Sequence, residues 1–586
     1  MHRFSPRRLL HPYSVFGFLP AHVFSPLDAL AERIGIERTE AFFAANPQMR
    51  CLAAAIGRYL GDSAQAERLL KKDFHVEYER RLRTVALTLD PPEDHRNDSL
   101  VLPVLGHPLD QAARDDLAAA TRQTLPPLPD RRPAPALGWI SLAAWSIALP
   151  SMALFLLLRF GRRRVHPWET LCASPSYGSE GHWQPLAEAC AERGVSFADT
   201  MLFVIEDPSC FCPKTWQFIE AKTLPVPIGY WLREAFLPLF PLIFTVWRAG
   251  LGAPRNAPLL ELGRRTLCLA GTSLNIRRLA CNIRGRFFLD TAEESSTHIL
   301  KSILLGRSGI RLVRWPRAQV ESPGHYYSYV SHDIFLSGGR YHAREYAQSW
   351  RPDCVNVPIG QVRNDRIWNR GERVRDDYRQ DIEARLARGQ RMAVLFTGNE
   401  GLGFDRPSVD LATTVWRGLR ERNDWFLVIK PKFNSAFYRL IERVPGLRDM
   451  LDAPNVLCLR YERKGEEVCP SGWLIPRMSL GFSVPGSIQL EALALGKSLM
   501  VYFPVLQRTR FKDFMRKHGL LFDDCDALTE KLKKTLDRPE DLSCPIEWIK
   551  NEFDPFADDR ALDRAAEILF SPDGAAARLS SAIRRS

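Results

Sequence analysis

Residues 480 to 503 read Leu480-Gly481-Phe482-Ser483-Val484-Pro485-Gly486-Ser487-Ile488-Gln489-Leu490-Glu491-Ala492-Leu493-Ala494-Leu495-Gly496-Lys497-Ser498-Leu499-Met500-Val501-Tyr502-Phe503, and the order of these parts decides the fold. An apolar run meets a Pro-Gly turn, a helical pattern follows, and a Gly-Lys turn leads into a second apolar run. The block is strand, tight turn, helix, turn, strand. Gly486 allows backbone to approach a ligand closely, Ser487 is placed to cap the helix, and the amides at its start suit a diphosphate. Glu491 lies one turn in, where a carboxylate can accept both hydroxyls of a ribose. Gly496 ends the helix and Lys497 offsets the negative end of its dipole.

The same alternation extends outward. Met392–Thr397, Trp425–Lys430, Val456–Arg460, Leu480–Ser483 and Ser498–Phe503 read as strands, with helical segments such as Leu411–Glu421 and Ile488–Leu495 between them. An earlier set, after Leu262, comprises Thr266–Ala270, Phe287–Leu289, Ile310–Trp315 and Asp333–Leu336. Near-continuous apolar strands separated by helices mean parallel sheets covered on both faces. Two such units, divided near the charged stretch Asn369–Gln390, predict a two-lobed α/β protein with a cleft between Rossmann-like lobes at 165–368 and 391–570.

The first quarter of the chain is different. Ser25-Pro26-Leu27-Asp28 is a helix start, with Leu27, Leu30, Ala31 and Ile34 on one face, and helical pattern continues to about Tyr78. Residues 1–124 therefore read as a mainly helical accessory domain and the Pro-rich stretch 125–136 as a linker. Leu137 to Leu158 carries no charge and, at about 33 Å as a helix, is long enough to span or embed in a bilayer. Arg159, Arg162, Arg163 and Arg164 follow at once, so a span would place the later residues on the cytoplasmic side of an inner membrane. If the segment only rests on the membrane, residues 1–124 stay on the same side as the lobes. A second apolar stretch, Ala235 to Trp247, is short and holds Pro238 and Pro241; it reads as interfacial or as a core helix.

Composition narrows the function classes. The 586 residues exceed what one core usually organises. Eighty Lys and Arg against 68 Asp and Glu give a formal net charge of +12, with arginines clustered beside apolar segments. That favours an anionic membrane surface or a phosphorylated ligand. No aromatic-interleaved basic repeat or finger spacing supports a nucleic-acid partner. The twelve cysteines lack the dense spacing of a disulfide scaffold, and Cys210 and Cys212 have no second pair to complete a zinc site. The N-terminus does not read as a signal peptide.

The block at 480–503 resembles the donor-nucleotide motif of GT-B glycosyltransferases and of the related glycerophosphotransferases, with serine at 498 where proline is usual. Three further pieces resemble bacterial surface-polysaccharide and capsule biosynthesis proteins in order and spacing. They are Tyr329-Val-Ser-His-Asp-Ile-Phe-Leu-Ser-Gly-Gly, Ile359-Gly-Gln-Val-Arg-Asn-Asp, and the pair Phe396-Thr-Gly-Asn with Phe426-Leu-Val-Ile-Lys-Pro-Lys. The resemblance implies a membrane-associated glycosyltransferase that moves a sugar from a nucleotide-sugar donor to a glycan or lipid-linked glycan. Gly398, Asn399, Lys430, Lys432, Gly486, Ser487 and Glu491 would hold the donor, the lysines neutralising the leaving diphosphate with no metal and no cofactor. The alternatives are transfer of a polyol phosphate from a cytidine diphosphate ester, and a non-catalytic polysaccharide-binding protein of the same fold. The glycerophosphotransferases place a histidine where this chain has Pro431-Lys432, which puts sugar transfer first. For the acceptor-side base, Asp290 leads among Asp290, Glu293, Glu294, His325 and His332, with His332 beside it as the second catalytic candidate. Arg363 and Asp365 are expected to form a structural ion pair.

Overall fold

A computed structural model describes residues 28–89, 109–121, 135–175, 183–205, 217–252, 256–290, 296–316, 329–346, 350–370, 374–398, 405–432, 434–444, 446–460, 468–497, 499–504, 510–539, 542 and 546–570. The capping residues expected at Ser25 and Pro26, the Pro-rich linker to 134, and Cys210 and Cys212 lie outside them.

The N-terminal region is helical, as expected. It contains α1 (Asp28–Ala45), α2 (Pro47–Leu60), α3 (Ser63–Leu89) and α4 (Asp110–Thr121). In α2 a proline occupies the first turn, Met49, Leu52, Ile56 and Leu60 fall on one buried stripe, and Gly61 closes the helix at φ 79°. The uncharged segment forms α5 (Pro135–Phe160), with Pro150 inside the helix.

The first lobe is a seven-stranded, wholly parallel sheet. Its elements are β1 (Cys172–Pro175), α6 (Gln184–Glu192), β2 (Met201–Ile205), β3 (Gln217–Glu220), α7 (Leu239–Leu251), α8 (Ala257–Asn282), β4 (Phe287–Asp290), α9 (Thr297–Gly306), β5 (Arg311–Arg314), β6 (Ile334–Ser337) and β7 (Val355–Pro358). The strand order is β7-β6-β5-β4-β1-β2-β3. Three of these strands, β1 to β3, precede the point where the sequence signalled a sheet; β1 (Cys-Ala-Ser-Pro) and β3 (Gln-Phe-Ile-Glu) hold no continuous apolar run.

The strand expected at Thr266–Ala270 is instead the middle of α8. Asn256 caps that helix by accepting from the Leu259 amide, and Leu259, Leu260, Gly263, Leu267, Ala270 and Leu274 continue its buried face. A five-residue window rich in Thr, Leu and Cys suits either state, and the 3.6 spacing over the full 26 residues settles it.

The second lobe follows α10 (Asp376–Ala387). It comprises β8 (Arg391–Phe396), α11 (Asp405–Leu419), β9 (Trp425–Lys430), α12 (Asn434–Glu442), β10 (Val456–Cys458), β11 (Leu480–Ser483), α13 (Ile488–Ala494), β12 (Leu499–Tyr502), α14 (Arg510–Lys517), β13 (Leu521–Phe522), α15 (Cys525–Asp537) and α16 (Ile546–Phe553). The six strands are parallel in the order β10-β9-β8-β11-β12-β13. The five strands expected from sequence all appear here, two with identical bounds.

The last helix, α17 (Ala561–Phe570), leaves this lobe and packs into the core of the first beside α6, Phe197 and Trp368. Near that return the lobes touch directly. Tyr341 stacks on Phe553 at 4.6 Å, and a Cβ at Gly339 would stand 2.1 Å from the Glu552 carbonyl oxygen, so only glycine fits there. Two doubly wound parallel sheets with a helical N-terminal region make the two-lobed α/β architecture expected from the sequence.

Candidate functional site

In a doubly wound sheet the ligand crevice opens beyond the carboxyl ends of the strands where the order reverses. In the second lobe the reversal falls between β8 and β11: β9 and β10 lie to one side, β12 and β13 to the other. Phe396 and Ser483 are register partners across it. The two loops leaving this point are Thr397-Gly398-Asn399 and Val484-Pro485-Gly486-Ser487, the stretches singled out for the donor. Gly398 is buried at the strand end, and Asn399 lies outside the described residues. At Gly486 a Cβ would meet nothing within 4 Å, so the crevice is open on that side.

Ser487 stands at the N-cap of α13 but makes no side-chain cap bond; its hydroxyl donates to Glu491 Oε1 at 3.1 Å. Glu491 is nearly buried one turn into the helix, and its backbone carbonyl accepts from Asn364 Nδ2 at 3.0 Å, which ties the interlobe connector to α13. Gly496 ends the helix at φ 70°, whereas the Lys497 ammonium reaches the Met478 carbonyl rather than the helix end. At the end of β9, the buried Lys430 ammonium donates to the Cys469 carbonyl at 2.7 Å. Lys432 is exposed, and its amide donates to Thr397 Oγ1 at 3.1 Å, holding the segment after β9 against the loop after β8. Of the two lysines, Lys432 is the exposed one.

Sequence reasoning passed over two residues here. Ser483 Oγ, at the carboxyl end of β11, and Gln489 Nε2, in the first turn of α13, are buried and have no hydrogen-bond partner among the described residues. A buried polar atom without a partner costs on the order of 1–3 kcal/mol, so two of them beside one crevice mark a place that a bound polar molecule or water completes. The signal was present: Ser483 is the lone polar side chain of an otherwise apolar strand, at its mouth.

The first lobe has its own reversal, between β4 and β1, and Asp290 is the last residue of β4. The structure brings both acceptor-side candidates together there. His332 Nε2 lies 3.8 Å from Asp290 Oδ2, and the His332 ring stacks on His298 at 5.0 Å. Both are fully buried, and Asp290 Oδ1 accepts from the Lys301 ammonium at 2.9 Å. Burial first, then the nearby Arg314 and Lys301 charges, hold His332 well below the usual histidine range, so its ring is neutral. Neither group has surface with which to touch an acceptor in this arrangement. Glu293, Glu294 and His325 lie outside the described residues.

Arg363 and Asp365 do not form the expected ion pair with each other. Arg363 lies over the Trp368 ring at 4.0 Å, while Asp365 accepts from the Ile367 and Leu562 amides at 2.8 and 2.7 Å. The carboxylate thus caps α17 and fastens it to the connector, and burial pushes its pKa up to about 6. An ion-pair reading missed this because the partner amide is 197 residues away. Among the described residues no three His, Cys, Asp or Glu side chains gather as a metal would require.

Fold and crevice define a two-lobed, doubly wound α/β protein with a polar crevice at the reversal of its second sheet. No family model and no curated protein matches the chain. Among solved structures it is similar to a Listeria monocytogenes protein described as a UDP-N-acetylglucosamine 2-epimerase, at 14% identity over 69% of this chain and 96% of that one, TM-score 0.42. It is also similar to the UDP-GlcNAc 2-epimerase of Neisseria meningitidis bound to UDP-GlcNAc, at 11% identity over 69% and 99%, TM-score 0.39. The wall teichoic acid polymerase TagF is a third, at 9% identity over 81% and 98%, TM-score 0.40. Likenesses of this size do not decide what the chain binds, and the fold stands on its own two sheets.

Proposed function

We propose that the chain is a glycosyltransferase: a nucleotide-activated sugar binds at the β8–β11 reversal, and a glycan or lipid-linked glycan receives the sugar from the first-lobe side of the cleft. In that reaction the bond from the anomeric carbon to the diphosphate breaks, a bond to an acceptor oxygen forms, and the hydroxyl proton passes to a base. The observation that carries the reading is the pair of buried atoms without a partner among the described residues, Ser483 Oγ and Gln489 Nε2, at the end of β11 and the start of α13, with the segment after β9 held to the loop after β8 through Lys432 and Thr397. The exposed Lys432 supplies positive charge to the leaving diphosphate, and Glu491, oriented by Ser487, is the acceptor for ribose hydroxyls. An acceptor held at the inner face of a membrane would explain why a catalytic chain carries the apolar α5.

The test is thermal unfolding of purified protein in detergent against uridine, guanosine, cytidine and adenosine diphosphates, their sugar esters and cytidine diphosphate glycerol, with and without chelator. A ligand at a hundredfold excess over its dissociation constant stabilises by about 2.7 kcal/mol. The expected result is a shift selective for one sugar nucleotide, kept in chelator and lost in Glu491→Ala. Selectivity for cytidine diphosphate glycerol would replace sugar transfer with polyol phosphate transfer, and no shift with any nucleotide would remove the enzyme reading.

A further inference from the structure

Two helices leave apolar stripes uncovered on the same side of α8. On α5 the stripe is Ile140, Ile147, Leu154 and Leu158, with Ile147 70% and Leu158 77% exposed. The neighbouring helical run, Ile228–Leu251, ends in α7 and shows Leu237, Phe240, Phe244 and Leu251 at the same spacing, with Phe244 68% exposed. The helices are antiparallel neighbours. Trp139 lies 5.3 Å from Trp247 at one end, Trp231 Nε1 donates to the Ala153 carbonyl towards the other, and Trp247 donates to Ser146 Oγ between them. The second run is thus longer than the Ala235–Trp247 stretch visible in sequence, because a π-helical turn at Leu232–Phe236 carries the helix into the prolines.

Charge is gathered at one end of this pair. Gly161 and Arg162, just after α5, pair with Val226 and Pro227, just before the second run. That pairing sets the exposed Arg159, Arg162, Arg163 and Arg164 beside the exposed Arg233. Glu234, the acidic residue of the run, is already held by Arg233 and Arg307 at 3.0 Å each.

We infer that α5 and the Ile228–Leu251 run lie in the plane of an anionic membrane surface as one monotopic patch, with neither crossing it. Three observations oppose a crossing. Residues before α5 touch residues after it: Tyr329 donates to Glu40 at 2.8 Å, Ser296 to Asp73 at 3.1 Å, and Arg307 to the Leu60 carbonyl at 3.0 Å. A spanning α5 would put these partners on opposite sides of a bilayer. Along its length α5 is also seated against α8 through Gly263 and Gly271, whose absent side chains admit Leu142, Trp145, Leu149 and Met152. And α8 holds Arg264, Arg265 and Arg277 at that level, paired with Glu261, Asp73 and Glu77 or donating to the Tyr59 carbonyl. A bilayer around α5 would have to enclose those charges too. A lipid monolayer fits better than a second copy of the chain, because the stripe ends in five arginines of which, among the described residues, only Arg233 has an acidic partner, Glu234, itself shared with Arg307. Stripes of this kind settle about 5–10 Å into the headgroup boundary.

The experiment adds the purified full chain to preformed vesicles of phosphatidylcholine, alone or mixed with phosphatidylglycerol, and measures co-flotation. Afterwards Cys51, an exposed thiol in α2, is treated with a membrane-impermeant maleimide and the adduct mapped by mass spectrometry. Expected are binding that requires phosphatidylglycerol, and full Cys51 labelling without detergent. Replacing Arg162, Arg163 and Arg164 by alanine should weaken binding about a hundredfold, at about 1 kcal/mol per arginine near an anionic surface. Ile147→Glu with Phe244→Glu should abolish binding. Cys51 protected until detergent is added would mean a true span. Unchanged binding in the arginine variant, or a lipid-free dimer that Phe244→Glu dissolves, would equally overturn the inference. The nucleotide-induced shift in detergent is independent of every one of these outcomes.

Discussion

Two helices of 26 residues lie side by side in this protein and invert the usual rule of burial. One, α5, has Arg159 as its sole charged residue, yet its outer stripe is open. The other, α8, carries Glu261, Arg264, Arg265, Arg277 and Arg278, and among its side chains from Leu259 to Asn282 only Asn275 is exposed. The difference lies in partners. Each α8 charge has a fixed counterpart: Arg264 on Glu261, Arg265 on Asp73 and Glu77, Arg277 on the Tyr59 carbonyl and ring, Arg278 on the Leu224 carbonyl and the Phe160 ring. A buried charge with a fixed counterpart is tolerated, even where, as at Arg277, Nε and Nη1 have no hydrogen-bond partner among the described residues, and an apolar stripe left open requires a further apolar phase. Hydropathy locates the first kind of helix easily and gives no warning of the second.

The comparison can be tested by substitutions of decreasing expected cost. Arg265→Ala would leave Asp73 with only Ser296 and Glu77 with only Arg81 among the partners described, and removing one member of such a network should lower the unfolding free energy in urea by about 3 kcal/mol or more. A cost under about 1 kcal/mol would mean that α8 holds its charges as loosely as a surface helix does. Gly271→Leu attacks the seam itself. Its Cβ already meets Met152 and Trp145 at 3.2 Å, so the larger side chain should cost about 1–3 kcal/mol and alter tryptophan fluorescence. Smallest is Ile147→Gln on the open stripe of α5, which should change stability in lipid-free detergent by no more than about 0.5 kcal/mol. A larger loss would show that protein, not lipid, covers that face.

The second lobe was legible from sequence because its signals are local. Strands such as Trp425–Lys430 and Leu480–Ser483 are continuous apolar runs bounded by turn residues, and the Pro485-Gly486-Ser487 turn announces the loop at the crevice. The first lobe was half legible. Its strands β4 to β6 were visible, β1 and β3 lacked a continuous apolar run, β2 was missed, and a β-rich window inside α8 imitated a strand. The site divides the same way. Gly486, Ser487 and Glu491 were placed correctly on loop and helix. The actual partners of Ser487, Lys430 and Asp365 are a carboxylate, a carbonyl and a helix amide that no spacing rule brings forward.

By itself, then, the sequence determined the elements that local chemistry commits: the β8–β12 alternation, the helical N-terminal region, the glycine turns at the crevice and an apolar helix long enough to cross a bilayer. Only the tertiary structure decided which reversal forms the crevice, that α17 returns to the first lobe, and that Asp290 and His332 sit together away from solvent. It also decided that the residues on either side of α5 touch. Hydropathy measures how one helix alone would partition between water and lipid, whereas the orientation of α5 depends on contacts such as Glu40 with Tyr329, 289 residues apart in the chain.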